Sequence, residues 1–150
     1  TMFKPKNILV PTDFSEHSDK ALRQALDIAE KFNSKVFLLH VVDKGIQQCV
    51  ADYCLPKETF DQLERESVSK SRELMEHEVS MVAGRPAVEI DFDVQKGVPY
   101  DVILQEQQDK DIDLIVIASH GKSGLMGHLM GNVADRVAER ATSEVLIVRA

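Results

Sequence analysis

The chain has 150 residues, 43% of them hydrophobic, and a formal net charge of −7 at neutral pH. That length suits a single domain, here residues 1–150, with a sizeable core, and the apolar fraction without low-complexity tracts excludes a disordered chain. The acidic balance leaves no basic excess to displace counterions, so no nucleic-acid or anionic-membrane partner is expected.

No apolar run reaches membrane-spanning length, and the opening TMFKPKN lacks the apolar core of a signal peptide, so a cytoplasmic protein is expected. NILVPT, from Asn7 to Thr12, reads as a short apolar strand ended by Pro11. A helix follows with Ala21, Leu22, Ala25, Ile28, Ala29 and Phe32 on one stripe, and Asp13 and Glu16 have capping-box spacing with Asp13 at the N-cap. KVFLLHVV, from Lys35 to Val42, is a second buried strand. Asp43 to Pro56 has no periodicity and exceeds ordinary loop lengths, so a mobile loop that folds over a ligand is expected there.

A long surface helix from about Lys57 to Ala83 is predicted to bury Phe60, Leu63, Leu74, Met75, Val79 and Val82, with Gly84 and Pro86 stopping it. Val88, Ile90, Phe92 and Val94 then alternate with Glu89, Asp91, Asp93 and Gln95, as in a half-exposed edge strand. Gly97 and Pro99 open a helix with Tyr100, Ile103 and Leu104 inward. Leu114 to Ile117 form a strand buried on both faces, a helix with Val133, Ala134, Val137, Ala138 and Ala141 inward follows, and Glu144 to Arg149 is the closing strand. Strict alternation of strands and helices implies an α/β fold, a parallel sheet with helices on both faces. Its ligand crevice lies at the carboxyl ends of the strands where strand order reverses, with Pro11, Thr12 and Asp13 on one wall and Ala118 to Gly131 on the other.

Between the fourth strand and its helix stand Gly121, Gly124, Gly127 and Gly131. Glycines at a strand-to-helix junction let the backbone approach a ligand and aim N–H groups and a positive dipole end outward, which is the recipe for a phosphate site. It is not a P-loop, because that motif needs a glycine where Val116 stands, nor a dinucleotide fingerprint, which belongs after the first strand. His120 and Lys122 lie on this loop and are candidates for phosphate or ribose contact. His40, inside an apolar strand, reads as a satisfied core histidine. Cys49 and Cys54 are too few for a disulfide framework, and with no second pair no metal site is expected. Ser119 and Ser123 have no nucleophile-elbow glycines around them, so no catalytic residue is assigned.

NILVPTDFSEHSDKAL, KGVPYDVIL and ASHGKSGLMGHLMGNVADRVAERATSEVLIVR together resemble a single-domain universal stress protein (UspA-like) across essentially the whole chain. The resemblance implies a five-stranded parallel sheet in the order 3-2-1-4-5, a Rossmann-like fold akin to the adenine nucleotide alpha hydrolases. It also implies homodimers joined through the last strand, here Val145, Leu146, Ile147 and Val148. Such an unpaired apolar edge invites pairing in any case.

Many members of that family bind ATP, with or without Mg2+, through G-x2-G-x9-G-[ST]. Aligned on it, Gly121 and Gly131 match, while Ala118 replaces the first glycine and Asn132 the final hydroxyl residue. By that alignment Pro11, Thr12 and Asp13 would line the adenosine and Val41 would offer its backbone to the adenine. Gly121, Lys122, Gly131, Asn132 and Val133 would surround the phosphates. Asn132 keeps a side-chain donor and is a good N-cap. Three functional readings follow: a nucleotide-responsive stress or signalling regulator acting through its dimer, a member working only through protein partners, and a slow ATPase without a dedicated substrate.

Overall fold

The computed structural model describes residues 2–43, 56–83, 87–121 and 130–149. The elements are β1 (Asn7–Pro11), α1 (Glu16–Phe32), β2 (Lys35–Asp43), α2 (Lys57–Ala83), β3 (Ile90–Gly97), α3 (Pro99–Asp109), β4 (Leu114–Ala118), α4 (Asn132–Arg140) and β5 (Glu144–Val148). Residues 44–55, with both cysteines and most of the expected loop, lie outside the described residues, as do Gly84, Pro86, Lys122, Ser123, Gly124 and Gly127.

One five-stranded sheet in the order β3-β2-β1-β4-β5, parallel at every pairing, carries the fold. This is the α/β sheet that the alternating elements and the resemblance imply. Side chains alternate across a strand, so each strand feeds two cores. Ile8, Val10, Val36, Leu38 and Val116 meet Leu22, Ala25 and Met75 of α1 and α2. Leu9, Phe37, Leu39, Ile115 and Ile117 meet Ile103, Ala134 and Val137 of α3 and α4. Each fully buried Ile or Leu in these layers contributes about 1.5–3 kcal/mol. Among the described residues, no helix is long and apolar enough to cross a membrane.

The structure corrects several sequence expectations. Leu63 and Leu74 are 44% and 36% exposed, and the buried face of α2 is Ser71, Met75, Glu78 and Val79. The turn of the helix that reaches the core is therefore partly polar. Leu104 is only half-buried, with Glu106 and Gln107 buried in its neighbourhood instead, and Ala138 is exposed, whereas Ala134 and Val137 are buried as expected. The cap of α1 is Ser15, whose hydroxyl accepts from the Ser18 N–H, and not Asp13. Asp13 caps the residue before the helix, its Oδ1 accepting from the Ser15 N–H at 3.0 Å. Gly97 ends β3 at φ +149, where an added Cβ would stand 2.9 Å from Val102 Cγ2, so the position requires glycine.

Candidate functional site

The site begins where β1 and β4 part. Among the described residues their ladder pairs Ile8 with Leu114 and Leu9 with Ile115, and stops before either strand ends. β1 stays with β2 instead, since the Thr12 N–H donates to the Leu39 carbonyl at 2.8 Å. Strands diverging at their carboxyl ends open the crevice expected at a reversal of strand order.

The first wall is the turn after β1. Phe14 sits at φ 64, a left-handed conformation that a bulky residue adopts only when its surroundings hold it there. Three contacts do so. Its N–H donates to Thr12 Oγ1 at 3.1 Å, the following N–H is held by Asp13, and its ring lies 4.4 Å from that of His40. His40 in turn donates from Nδ1 to the Thr12 carbonyl at 2.8 Å, so it is a satisfied histidine that buttresses this turn.

The second wall follows β4. The Ser119 N–H donates to Val148 of β5 at 2.9 Å, and the Gly131 N–H returns to the Ser119 carbonyl at 2.6 Å. That contact brings the two ends of the glycine-rich loop together. A Cβ on Gly131 would stand 3.1 Å from the Ser119 carbonyl, which is why the approach suits glycine. Gly131 is also the N-cap of α4, and no side chain among the described residues caps that end. Asn132, expected as a good cap, is the first helical residue, and its Oδ1 accepts from Arg136 Nε at 3.2 Å. The N–H groups of the first turn of α4 therefore face the crevice with the positive end of the helix dipole.

The two walls touch. A Cβ on Gly121 would lie 2.6 Å from Asp13 Oδ2, so the Asp13 carboxylate rests against the Gly121 backbone. Thr12 is buried, and its neighbour Asp13 is half-buried. His120 is close by, its Nδ1 2.9 Å from Ser119 Oγ and its ring 6.3 Å from that of His17 at the start of α1. Ala118 turns its methyl toward the α1 side of the core, while Val41, Met130 and Val133 pack on the α3–α4 side. Of the expected nucleotide residues, Pro11, Thr12, Asp13, Ala118, His120, Gly121, Gly131, Asn132 and Val133 thus gather at one end of the sheet. Val41 stands near the end of β2. Lys122 lies outside the described residues. Among those described, no group of three or more His, Cys, Asp and Glu is placed to hold a metal ion.

Sequence reasoning missed the layer beneath the first wall. Thr12 Oγ1 lies 2.7 and 2.9 Å from the two carboxyl oxygens of Glu78 and 3.0 Å from Ser18 Oγ. Glu78 is only 6% exposed. Burial pushes its carboxyl up to about 8, helped by hydrogen bonding to Asp19 and by the charges of Asp19 and Asp13, against the opposing pull of Thr12. The signal was readable: Glu78 falls three residues after Met75 and four before Val82, on the apolar stripe of its helix.

A parallel sheet of this order, with the Asp13 turn meeting Gly121 at its reversal, defines a doubly wound α/β protein. The chain belongs to the universal stress protein family, whose model matches residues 4–149. It is 34% identical to the universal stress protein MJ0531 of Methanocaldococcus jannaschii over 96% of this chain and 82% of that one. The solved structure of MJ0577, from the same organism, superposes with a TM-score of 0.83 at 26% identity, covering 99% and 98% of the two chains. A universal stress protein solved in complex with cAMP has a TM-score of 0.63 at 23% identity, covering 98% of each chain.

Proposed function

We propose that the chain binds ATP and acts as a nucleotide-responsive regulator of the stress or signalling type, its loaded and empty states presenting different dimer or partner surfaces. The observation that carries this reading is the start of α4, which no side chain among the described residues caps and which lies against Ser119 and His120, next to the contact of Asp13 with Gly121. Outward N–H groups and a dipole end suit phosphates. Asp13, Thr12 and the backbone near Val41 suit the nucleoside end, and His120 supplies a ring nitrogen near the phosphate end. The family's cAMP complex supports an adenine nucleotide over other anions.

The replacement of glycine by Ala118 speaks less against binding than its sequence suggests, because the methyl packs into the core. Asn132 is the weaker point, since its side chain is turned to Arg136. Modest affinity follows. Calorimetry of ATP with the full chain tests the reading; no heat at millimolar nucleotide leaves the partner-only alternative.

The regulator works as a homodimer through β5. Val145, Leu146 and Ile147 of this edge strand are half-buried and Val148 is buried, and among the described residues no strand pairs with its outer edge. Antiparallel pairing about a two-fold axis satisfies it. Light scattering at micromolar concentration is expected to give twice the chain mass; a monomer refutes it.

A further inference from the structure

We propose that Glu78 of α2 is a positioning residue for the ligand site: it clamps Thr12 from below and thereby sets Asp13 against Gly121. The proposal rests on the ATP reading for its ligand, but its structural basis is independent. Four contacts converge on Thr12 Oγ1, from the Phe14 N–H, Ser18 Oγ and both oxygens of Glu78. A hydroxyl has one hydrogen and two lone pairs, so only certain proton arrangements serve this set.

Two arrangements do. In the first, Glu78 is a neutral acid that donates to Thr12, Thr12 donates to Ser18, and Ser18 donates to the Ser15 carbonyl at 3.0 Å. In the second, Glu78 is ionised, Thr12 turns its hydrogen to it, and Ser18 turns back to Thr12. The surroundings choose between them. None of the ion pairs among the described residues involves Glu78. The charged groups acting on it are both negative, Asp19 from α1 and Asp13 from the turn, and across the Thr12 carbonyl stands His40 of β2. A buried acid that faces two carboxylates, with no ion pair to a cation among the described residues, keeps its proton.

The first arrangement therefore holds the turn at neutral pH. It completes the bonds that keep Phe14 left-handed, and it adds no charge beneath Asp13. Ionisation of Glu78 adds a second charge under Asp13 and redirects the Thr12 hydroxyl. Both changes oppose nucleotide binding as pH rises.

The test uses the full chain, with ATP as probe and the amide proton of Phe14 as an internal reporter. In the unaltered chain the Phe14 amide shift is expected to titrate between pH 7 and 9, to be silent there in Glu78→Gln, and to titrate at lower pH in Asp19→Asn. ATP affinity is expected to fall by about tenfold from pH 7 to 9 beyond the fall seen in Glu78→Gln. That variant carries the same nucleotide ionisation, so the difference isolates Glu78. Glu78→Ala is expected to weaken binding about tenfold already at pH 7, with Gln rescuing it because an amide N–H replaces the acid hydrogen. A Phe14 titration unchanged in both Glu78→Gln and Asp19→Asn, or parallel affinity curves, overturns the assignment. If no variant binds ATP, the nucleotide reading fails, and the Phe14 titration still decides whether Glu78 sets the turn.

Discussion

The two ends of the sheet solve the same problems with different residues. At the amino end, Asp113 accepts from the N–H groups of Lys6 and Asn7, both at 2.8 Å. The Asn7 side chain answers by donating to Lys110 and Asp111. Gln107 accepts from the N–H groups of Thr142 and Ser143 and from the Ser143 hydroxyl, pinning the turn before β5. Left-handed positions are filled by Asn33 and Asp111, residue types that tolerate them. The buried acid nearby, Glu106, has a cation 3.3 Å away in Lys110. At the carboxyl end the left-handed residue is a phenylalanine, and the buried acid, Glu78, faces carboxylates. Even at the amino end, burial and the Asp93 carboxylate push Glu106 up, against the pull of Lys110, and one of its oxygens is buried without a hydrogen-bond partner among the described residues. The carboxyl end differs in pairing its buried acid with a strained turn, beside the loops that meet at the crevice. Such a pairing is typical of binding sites and exceptional elsewhere.

The sharpest way to separate the ends is to damage each and read both stability and ligand. Gly131→Asp places a carboxylate at the start of α4. ATP binding should weaken by about a hundredfold or more, roughly 3 kcal/mol, in calorimetry. Stability should fall by about 1–2 kcal/mol: the φ of −60 is ordinary and Asp is a good N-cap, but the new Cβ presses on the Ser119 carbonyl at 3.1 Å. At the amino end, Gln107→Leu leaves the Thr142 and Ser143 N–H groups without their acceptor. Urea denaturation should show a loss of about 2–3 kcal/mol, with ATP affinity unchanged. Equal effects of both variants on both readouts would dissolve the distinction between the ends.

Acidity separates them next. Glu78 is pushed up to about 8 from an ordinary 4.5, so across that window the folded chain holds a proton that the unfolded chain has released. Its contribution is whole below pH 4.5, declines as pH rises, and is gone above about 8. The loss should be on the order of 2–4 kcal/mol, and Glu78→Gln should flatten it. Asp93 behaves oppositely. Burial pushes it up, but hydrogen bonds from Gln95 and Glu106 and the charge of Lys110 bring it below the ordinary carboxylate range. Its contribution is present above the ordinary aspartate pKa and disappears on acidification. Denaturation series at pH 5, 7 and 9 on the parent and the Gln variant check the sign.

How much of this was legible in the sequence also divides by region. Strand runs such as Leu114 to Ile117 and the stripe of α1 are periodic, and periodicity alone orders the sheet's elements; the strand order came from the family resemblance. The glycines at 121 and 131 announced the second wall. The first wall was misread at its cap, because Asp13, Ser15 and Ser18 are all good cap residues and only the left-handed turn at Phe14 decides among them. Glu78 and Gln107 escaped because a polar residue on an apolar stripe is read as an interruption, whereas here it is the point where the helix grips another segment. Those grips join residues 66 and 35 positions apart, a range no local pattern reaches.

The smallest expected effect concerns the two departures from the family's ATP pattern, and the structure ranks them. Ala118→Gly removes a methyl that packs on the α1 side of the core and adds a glycine to β4. It should cost about 0.5–1 kcal/mol of stability and leave ATP affinity within about twofold. Asn132→Ser frees Arg136 from its partner at 3.2 Å and puts a hydroxyl on the first turn of α4, where it can donate to a phosphate oxygen. A charge-assisted hydrogen bond contributes about 1.5–3 kcal/mol when well placed, but Asn132 is exposed and water competes. A gain of about three- to tenfold in ATP affinity is therefore the scale to look for. The double variant should gain no more than Asn132→Ser alone. If Ala118→Gly supplies most of the gain, the methyl obstructs the ligand after all, and the crevice runs closer to the end of β4 than the packing of Ala118 indicates.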